Sequence, residues 1–188
     1  MLYSEHLAKA RALQYHRGME SAAKIARWGV LRNEKRAWRV RAKAAAKMIE
    51  VPGGVMDLGC GNMLVERFLS RRRAYLPVDC VQRDHRTVIC DFNTDPLPVV
   101  EDCGVLVVLG VLEHLEQPKE FIGKLPSCGA LQWVISYHPA DVFGSVRGML
   151  EGEFIQAVNL AGFSLKDRVH VAQNILYDFR SRLAGKLV

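Results

Sequence analysis

The stretch Val55-Met56-Asp57-Leu58-Gly59-Cys60-Gly61 decides how this chain of 188 residues is read. Val55–Leu58 is short and mostly apolar, as a strand buried on both faces should be. Gly59 and Gly61 bracket the turn at its carboxyl end, where glycine lets the backbone bend tightly and approach a ligand. A helix over Asn62–Arg72 is expected next. Further strands are expected at Ala74–Val78, Thr87–Cys90, Gly104–Leu109 and Ala130–Ser136, with helices near Pro118–Leu125 and Met149–Ala161. Phe163–Val171 and Asn174–Phe179 read as a closing strand pair. Apolar strands alternating with helices predict an α/β, doubly wound, mostly parallel sheet covered on both faces. One link is short. Only Cys80–Arg86 separates the second and third strands, where a parallel crossover normally takes a dozen or more residues and a helix. Either that helix is absent or a strand lies elsewhere.

Upstream the texture differs. Residues 4–50 hold no proline and are rich in Ala, Lys, Arg and Leu, which predicts two or three helices. Breaks are expected near Gly18 and Gly29–Asn33, and Pro52-Gly53-Gly54 ends the last helix. Residues 1–50 carry 12 Lys and Arg against 4 Asp and Glu, whereas residues 51–188 carry 14 against 16. The chain therefore divides into a basic helical arm or cap, 1–50, and a domain, 51–188. Such an arm is a solvated helix face, or it contacts nucleic acid, acidic lipid or an acidic substrate. With 49% hydrophobic and 24% charged residues, the composition excludes disordered, collagen-like and coiled-coil classes. The five cysteines are odd in number and form no Cys-x-x-Cys pair, so neither a zinc ribbon nor a disulfide scaffold fits, and no metal site is expected. The longest apolar run, Val105–Leu109, is far too short to span a membrane. No apolar leader core is present near the N-terminus, and a cytoplasmic protein with reduced thiols is the simplest expectation.

In doubly wound sheets the ligand lies outside the carboxyl ends of the strands. Asp79 ends the second strand, about twenty residues beyond the glycines, the spacing at which a carboxylate meets a ribose diol. Asp91-Phe92 end the third strand, where a carboxylate can accept from an exocyclic amine and a ring can pack on a purine. Three successive strand ends thus outline a nucleoside site. Leu64 stands where a dinucleotide fingerprint needs its third glycine. Asp57, close to the turn, suits a cationic or amino-acid-bearing ligand better than phosphates.

Asp57-Leu58-Gly59-Cys60-Gly61 resembles motif I of the class I S-adenosylmethionine-dependent methyltransferases. Tyr75-Leu76-Pro77-Val78-Asp79 resembles their second-strand acidic motif. Asp91-Phe92, Pro96-Leu97-Pro98 and Leu109-Gly110-Val111-Leu112-Glu113-His114-Leu115 resemble the later landmarks, and Val111–Leu115 (VLEHL) is similar to the signature of one broad branch. The resemblance covers about residues 50–180. It implies a seven-stranded sheet with the last strand antiparallel, and S-adenosylmethionine, with S-adenosylhomocysteine as product, bound over strands one to four. Gly59, Cys60 and Gly61 would line the methionine part, and Asp57 would organise the loop or hold the amino group. Asp79 would bind the ribose, Cys80 would pack near adenine, and Asp91 and Phe92 would contact it. Leu109 and Gly110 would back the donor. Met63 stands where motif I usually has another glycine. The link through Arg83, Asp84 and His85, with Ser136–Asp141, is similar to methyltransferase domains of sugar and surface-polysaccharide pathways.

Methyl transfer needs alignment, exclusion of water and sometimes a base. His114, Tyr137 and His138 are the candidate catalytic residues, on loops after the fourth and fifth strands. Histidine has a pKa suited to neutral pH, but His114 and His138 could equally be packing residues, and Asp141 a turn residue. The expected acceptor is a small molecule or glycan-like. A second reading has RNA or protein as substrate, with Arg36, Arg39, Arg41, Lys43 and Trp38 on the phosphates. A third has an inactive binding module.

Overall fold

The computed structural model describes residues 36–143, 148–171 and 174–183. The expected helices over residues 4–35 lie outside the described residues. The first described helix is α1 (Arg36–Met48). Seven strands follow: β1 (Gly54–Leu58), β2 (Tyr75–Asp79), β3 (Val88–Ile89), β4 (Cys103–Leu109), β5 (Gln132–Tyr137), β6 (Phe163–Val171) and β7 (Asn174–Ser181). Three further helices are α2 (Pro118–Lys124), α3 (Ala140–Phe143) and α4 (Glu151–Leu160).

The strands form one sheet in the order β3-β2-β1-β4-β5-β7-β6. β1 to β5 pair in parallel, and β7 inserts antiparallel between β5 and β6. The expected mostly parallel seven-stranded sheet with an antiparallel last strand is the observed one. Successive side chains point to opposite faces, and each face has its own apolar cover. Met56, Leu58, Leu106, Val108 and Ile135 pack with Phe121 and Ile122 of α2 and Phe154 and Val158 of α4. Val55, Val105, Val107 and Val134 pack with Ala42 and Ala45 of α1. Trp133 stacks on Phe163 with centroids 3.7 Å apart.

The basic helix α1 is thus part of the sheet's covering layer. Its end is pinned by Gln132, which is fully buried. The Gln132 amide donates to the Met48 carbonyl at 2.6 Å and to Asp178 at 2.8 Å, and its oxygen accepts from the Glu50 and Val51 N–H groups. A buried amide with these bonds satisfied fixes the helix end to the sheet without an orphaned polar group.

Two crossovers depart from the usual pattern. No α-helix forms over Asn62–Arg72, contrary to the expectation; turns lead into a single 3₁₀ turn, Glu66–Phe68. Met63 sits at a φ of +52°, a left-handed conformation that breaks helical continuity. Arg86 holds the segment from outside, pairing with Glu66 and reaching the Met63 sulfur at 3.6 Å. The short link after β2 has no helix either. Thr87 Oγ1 accepts from the Arg83 and Asp84 N–H groups, and Asp84 accepts from the Arg86 N–H at 2.7 Å. These side-chain turns replace a helix. β3 consequently pairs with β2 through two residues only.

Candidate functional site

A cavity of about 310 Å³ opens at the carboxyl ends of β1, β2, β3 and β4, within the range of small-molecule sites. All ten residues expected to hold a donor line it: Asp57, Gly59, Cys60, Gly61, Asp79, Cys80, Asp91, Phe92, Leu109 and Gly110. They come from four separate strand ends, so the parallel order β3-β2-β1-β4 is what assembles them.

The turn after β1 shapes the floor. The Gly59 and Cys60 N–H groups donate to the Val78 carbonyl at 2.8 and 3.0 Å, hooking the loop to β2. Gly59 has a φ of +78°, and a Cβ there would lie 2.4 Å from Val111 Cγ2. Any side chain would collide with Val111, so glycine is what lets the two strand ends pack this closely.

Asp57 is buried on the α1 side of the sheet. Burial pushes its carboxyl up to about 7, against the Tyr75 hydroxyl that donates to it at 2.6 Å; Asp79 adds to the rise and Arg41 opposes it. The group therefore changes charge near neutral pH, beside the glycine turn. Burial also raises the Cys60 thiol, and pushes Cys80 up to about 11. Both thiols stay protonated and are lining groups rather than nucleophiles.

Asp79 is buried and already fully engaged. One carboxylate oxygen accepts from the Gly61 N–H at 2.9 Å and Arg83 Nε at 3.1 Å, the other from the Val81 N–H at 3.1 Å and Arg83 Nη2 at 3.2 Å. A ribose diol can reach this carboxylate only by displacing the guanidinium. Asp91 and Phe92 lie further along the wall. Asp91 accepts from the Asn93 N–H at 3.2 Å, and Phe92 packs on Phe121 with centroids 5.3 Å apart.

Of the three expected catalytic residues, only His114 lines the cavity. It sits exposed on the 3₁₀ turn Leu112–His114, its N–H bonded to the Val111 carbonyl at 2.9 Å. Tyr137 is buried, with its hydroxyl accepting from the Met149 N–H at 2.6 Å and donating to the Met149 carbonyl at 3.1 Å. It ties β5 to the segment before α4. His138, half-buried, lies outside the cavity lining, and its backbone N–H donates to Glu113.

Trp38 and Arg41 of α1 line the same cavity, as does Arg83. Sequence reasoning set the two α1 residues on RNA phosphates only in its second reading, alongside the expectation of a basic helical arm or cap, and gave Arg83 no donor role. Arg36, Arg39 and Lys43 are exposed and do not line the cavity, with Arg39 over the Phe68 ring at 5.7 Å from its centroid. Among the described residues no group of three His, Cys, Asp or Glu could hold a metal ion, and no helix is long and apolar enough to cross a membrane.

No protein-family model matches the sequence, and no curated protein matches it. Solved structures do match. The 1,6-didemethyltoxoflavin-N1-methyltransferase of Burkholderia thailandensis, solved with 1,6-didemethyltoxoflavin and S-adenosylhomocysteine, superposes with a TM-score of 0.63 at 16% identity, over 95% of this chain and 88% of that one. An S-adenosylmethionine-dependent methyltransferase of Mesorhizobium loti gives 0.60 at 14% identity, over 77% and 97%. The magnesium protoporphyrin IX methyltransferase of Synechocystis, solved with S-adenosylhomocysteine, gives 0.59 at 15% identity, over 86% and 96%. The chain has the fold of the class I S-adenosylmethionine-dependent methyltransferases.

Proposed function

We propose that this protein is a methyltransferase that takes its methyl group from S-adenosylmethionine and passes it to a small-molecule or glycan-like acceptor. One observation carries the reading: a single cavity collects the glycine turn of β1, the acidic ends of β2 and β3, and Leu109-Gly110 of β4. The residues suit the donor. Gly59 packs directly against Val111 with no room for a Cβ, which holds the β1 turn close to the end of β4 at the cavity edge. Asp57 offers a carboxylate for an ammonium group, Asp79 one for a diol, and Phe92 an apolar wall for a base.

When bound, S-adenosylmethionine supplies an electrophilic methyl group on its sulfonium for in-line displacement. The chain's own task is to bind, align and dry the site. Trp38 and Arg41 close the cavity from α1, so this basic helix serves as a wall of the site. In this reading His114, exposed and lining the cavity, takes a proton from the acceptor. The VLEHL turn thereby supplies both a wall and a base. The exposed Arg36, Arg39 and Lys43 favour no nucleic-acid reading by themselves, since charge runs on a helix are usually solvated.

Titration calorimetry with S-adenosylmethionine and S-adenosylhomocysteine tests the proposal. Wild-type protein is expected to bind both in the micromolar range. Asp79→Ala, verified as folded by thermal unfolding, is expected to lose that binding. Absence of wild-type binding at millimolar ligand would refute the reading.

A further inference from the structure

The face of α1 turned away from the sheet carries a basic stripe. Arg36, Arg39, Lys43 and Lys47 are exposed, and their spacing of three, four and four residues puts them on one side of a helix. At about 1.5 Å of rise per residue the stripe runs for about 16 Å. The other side of the helix is buried on the sheet through Ala42 and Ala45. A charge run on one helix is usually solvated surface. Here the fold sets a second run beside it. Arg67, Arg71 and Arg72 are exposed on the turn and loop between β1 and β2. Phe68 and Leu69 of that segment pack in the same apolar cluster as Ala42 and Ala45. The Arg39 guanidinium lies over the Phe68 ring, bridging helix and turn. Past the end of α1, Arg73 Nη1 donates to the Val51 and Gly53 carbonyls at 2.8 and 3.1 Å.

Residues 36–48 and 67–73 contain no aspartate or glutamate. Glu50, just after the helix, is engaged by Lys166 and Arg180, and Glu66, just before the loop, by Arg86. Two acid-free basic segments therefore lie side by side, and such a concentration of one sign attracts an extended anion. The kind of anion follows from the other side chains present. A single-stranded nucleic acid is held by rings on which its bases stack. The rings of these segments are committed elsewhere, Trp38 to the cavity wall and Phe68, half-buried, beneath Arg39. What the stripe does offer among its cations is Val40, an aliphatic side chain 46% exposed. Flexible cations around a small apolar side chain match a plane of phosphate headgroups, where each Lys or Arg near the surface adds to the attraction.

We propose that this face docks the protein on an anionic lipid surface, with headgroup phosphates on the two basic runs and Val40 entering the headgroup layer. The proposal goes beyond the S-adenosyl reading and stands without it, because the test contains no donor.

The test is co-sedimentation of the full chain with vesicles of about 30% phosphatidylglycerol in phosphatidylcholine, and with phosphatidylcholine alone. Wild-type protein is expected to bind the first and not the second, and to be released as salt rises from about 0.1 to 0.5 M. Each surface cation is expected to contribute about fivefold to the partition coefficient. The triple variant Arg36→Gln, Lys43→Gln, Lys47→Gln should thus lose about 100-fold, and so should Arg67→Gln, Arg71→Gln, Arg72→Gln. A third triple variant, Lys119→Gln, Lys166→Gln, Arg168→Gln, removes the same charge from ion-paired sites away from this face and should bind as wild type does. Val40→Glu should weaken binding about as much as the loss of one or two cations. Thermal unfolding verifies that each variant is folded. Four results would overturn the proposal: wild type that ignores anionic vesicles, equal losses in all three triple variants, no loss in either of the first two, or retention of a short single-stranded RNA without retention of vesicles.

Discussion

Removing Arg83 should make the protein bind S-adenosylhomocysteine more tightly. The carboxylate of Asp79 accepts two bonds from Arg83 and two from backbone N–H groups. The two side chains are 11% and 6% exposed, so the pair lies between an exposed bridge, worth about 0–1 kcal/mol, and a buried one, whose breakage costs about 3–5 kcal/mol. A net worth of about 1–2 kcal/mol is reasonable for it. A ribose diol must recover that amount before it gains anything from Asp79. Arg83→Ala removes the competitor, while the Gly61 and Val81 N–H groups still hold the carboxylate in place. The expected gain is about 5–30-fold in affinity. The same change should lower the melting temperature by about 2–6 °C, as an ion pair is lost from a chain of this size. Titration calorimetry of wild type, Arg83→Ala and Arg83→Lys reads the affinity, and the lysine variant should fall between the others. Weaker or unchanged binding in a folded Arg83→Ala protein would refute the reasoning, and would make Arg83 a support for the site instead of a competitor within it.

Two other outcomes follow from the buried polar groups. The Asp57 carboxyl, raised to about 7 from an ordinary value of about 3.9, keeps its proton in the folded state up to that pH and is a carboxylate above it. The stability it contributes is full below about pH 4 and is lost as pH rises through 7. Asp57→Asn should therefore be more stable than wild type at pH 8.5, by about 4 kcal/mol, with the gap closing toward pH 4; parallel curves of melting temperature against pH would contradict this. Tyr137→Phe deletes both bonds to Met149 and should cost about 1–3 kcal/mol in chemical denaturation, with S-adenosylhomocysteine affinity unchanged. Lost affinity at unchanged stability would move Tyr137 into the site.

The sequence by itself determined the sheet and the positions of the residues that line the cavity. Period, strand composition and glycine turns are local signals, and strand-end residues of a parallel sheet converge whatever lies between them. Asp57, Gly59, Asp79, Asp91 and Gly110 could therefore be placed in one site from their positions along the chain. For the short Cys80–Arg86 link the sequence left two readings, an absent helix or a strand placed elsewhere, and in the structure the helix is absent.

What the local pattern could not show was decided by contacts distant in sequence. Asn62–Arg72 has helical composition, yet Met63 takes a left-handed φ and Arg86, 23 residues later, ties the segment down. Tyr137 stood on a promising loop, and its hydroxyl is bonded to Met149. Arg41 read as one basic residue among several on a helical arm or cap. Only the docking of α1 on the sheet, through Ala42 and Ala45 and the buried Gln132, brings its guanidinium over Gly110. Charge and periodicity report which residues an element exposes in isolation. Which exposed face becomes the wall of a cavity depends on where the element packs, and that is settled by burial and hydrogen-bond satisfaction across the whole fold.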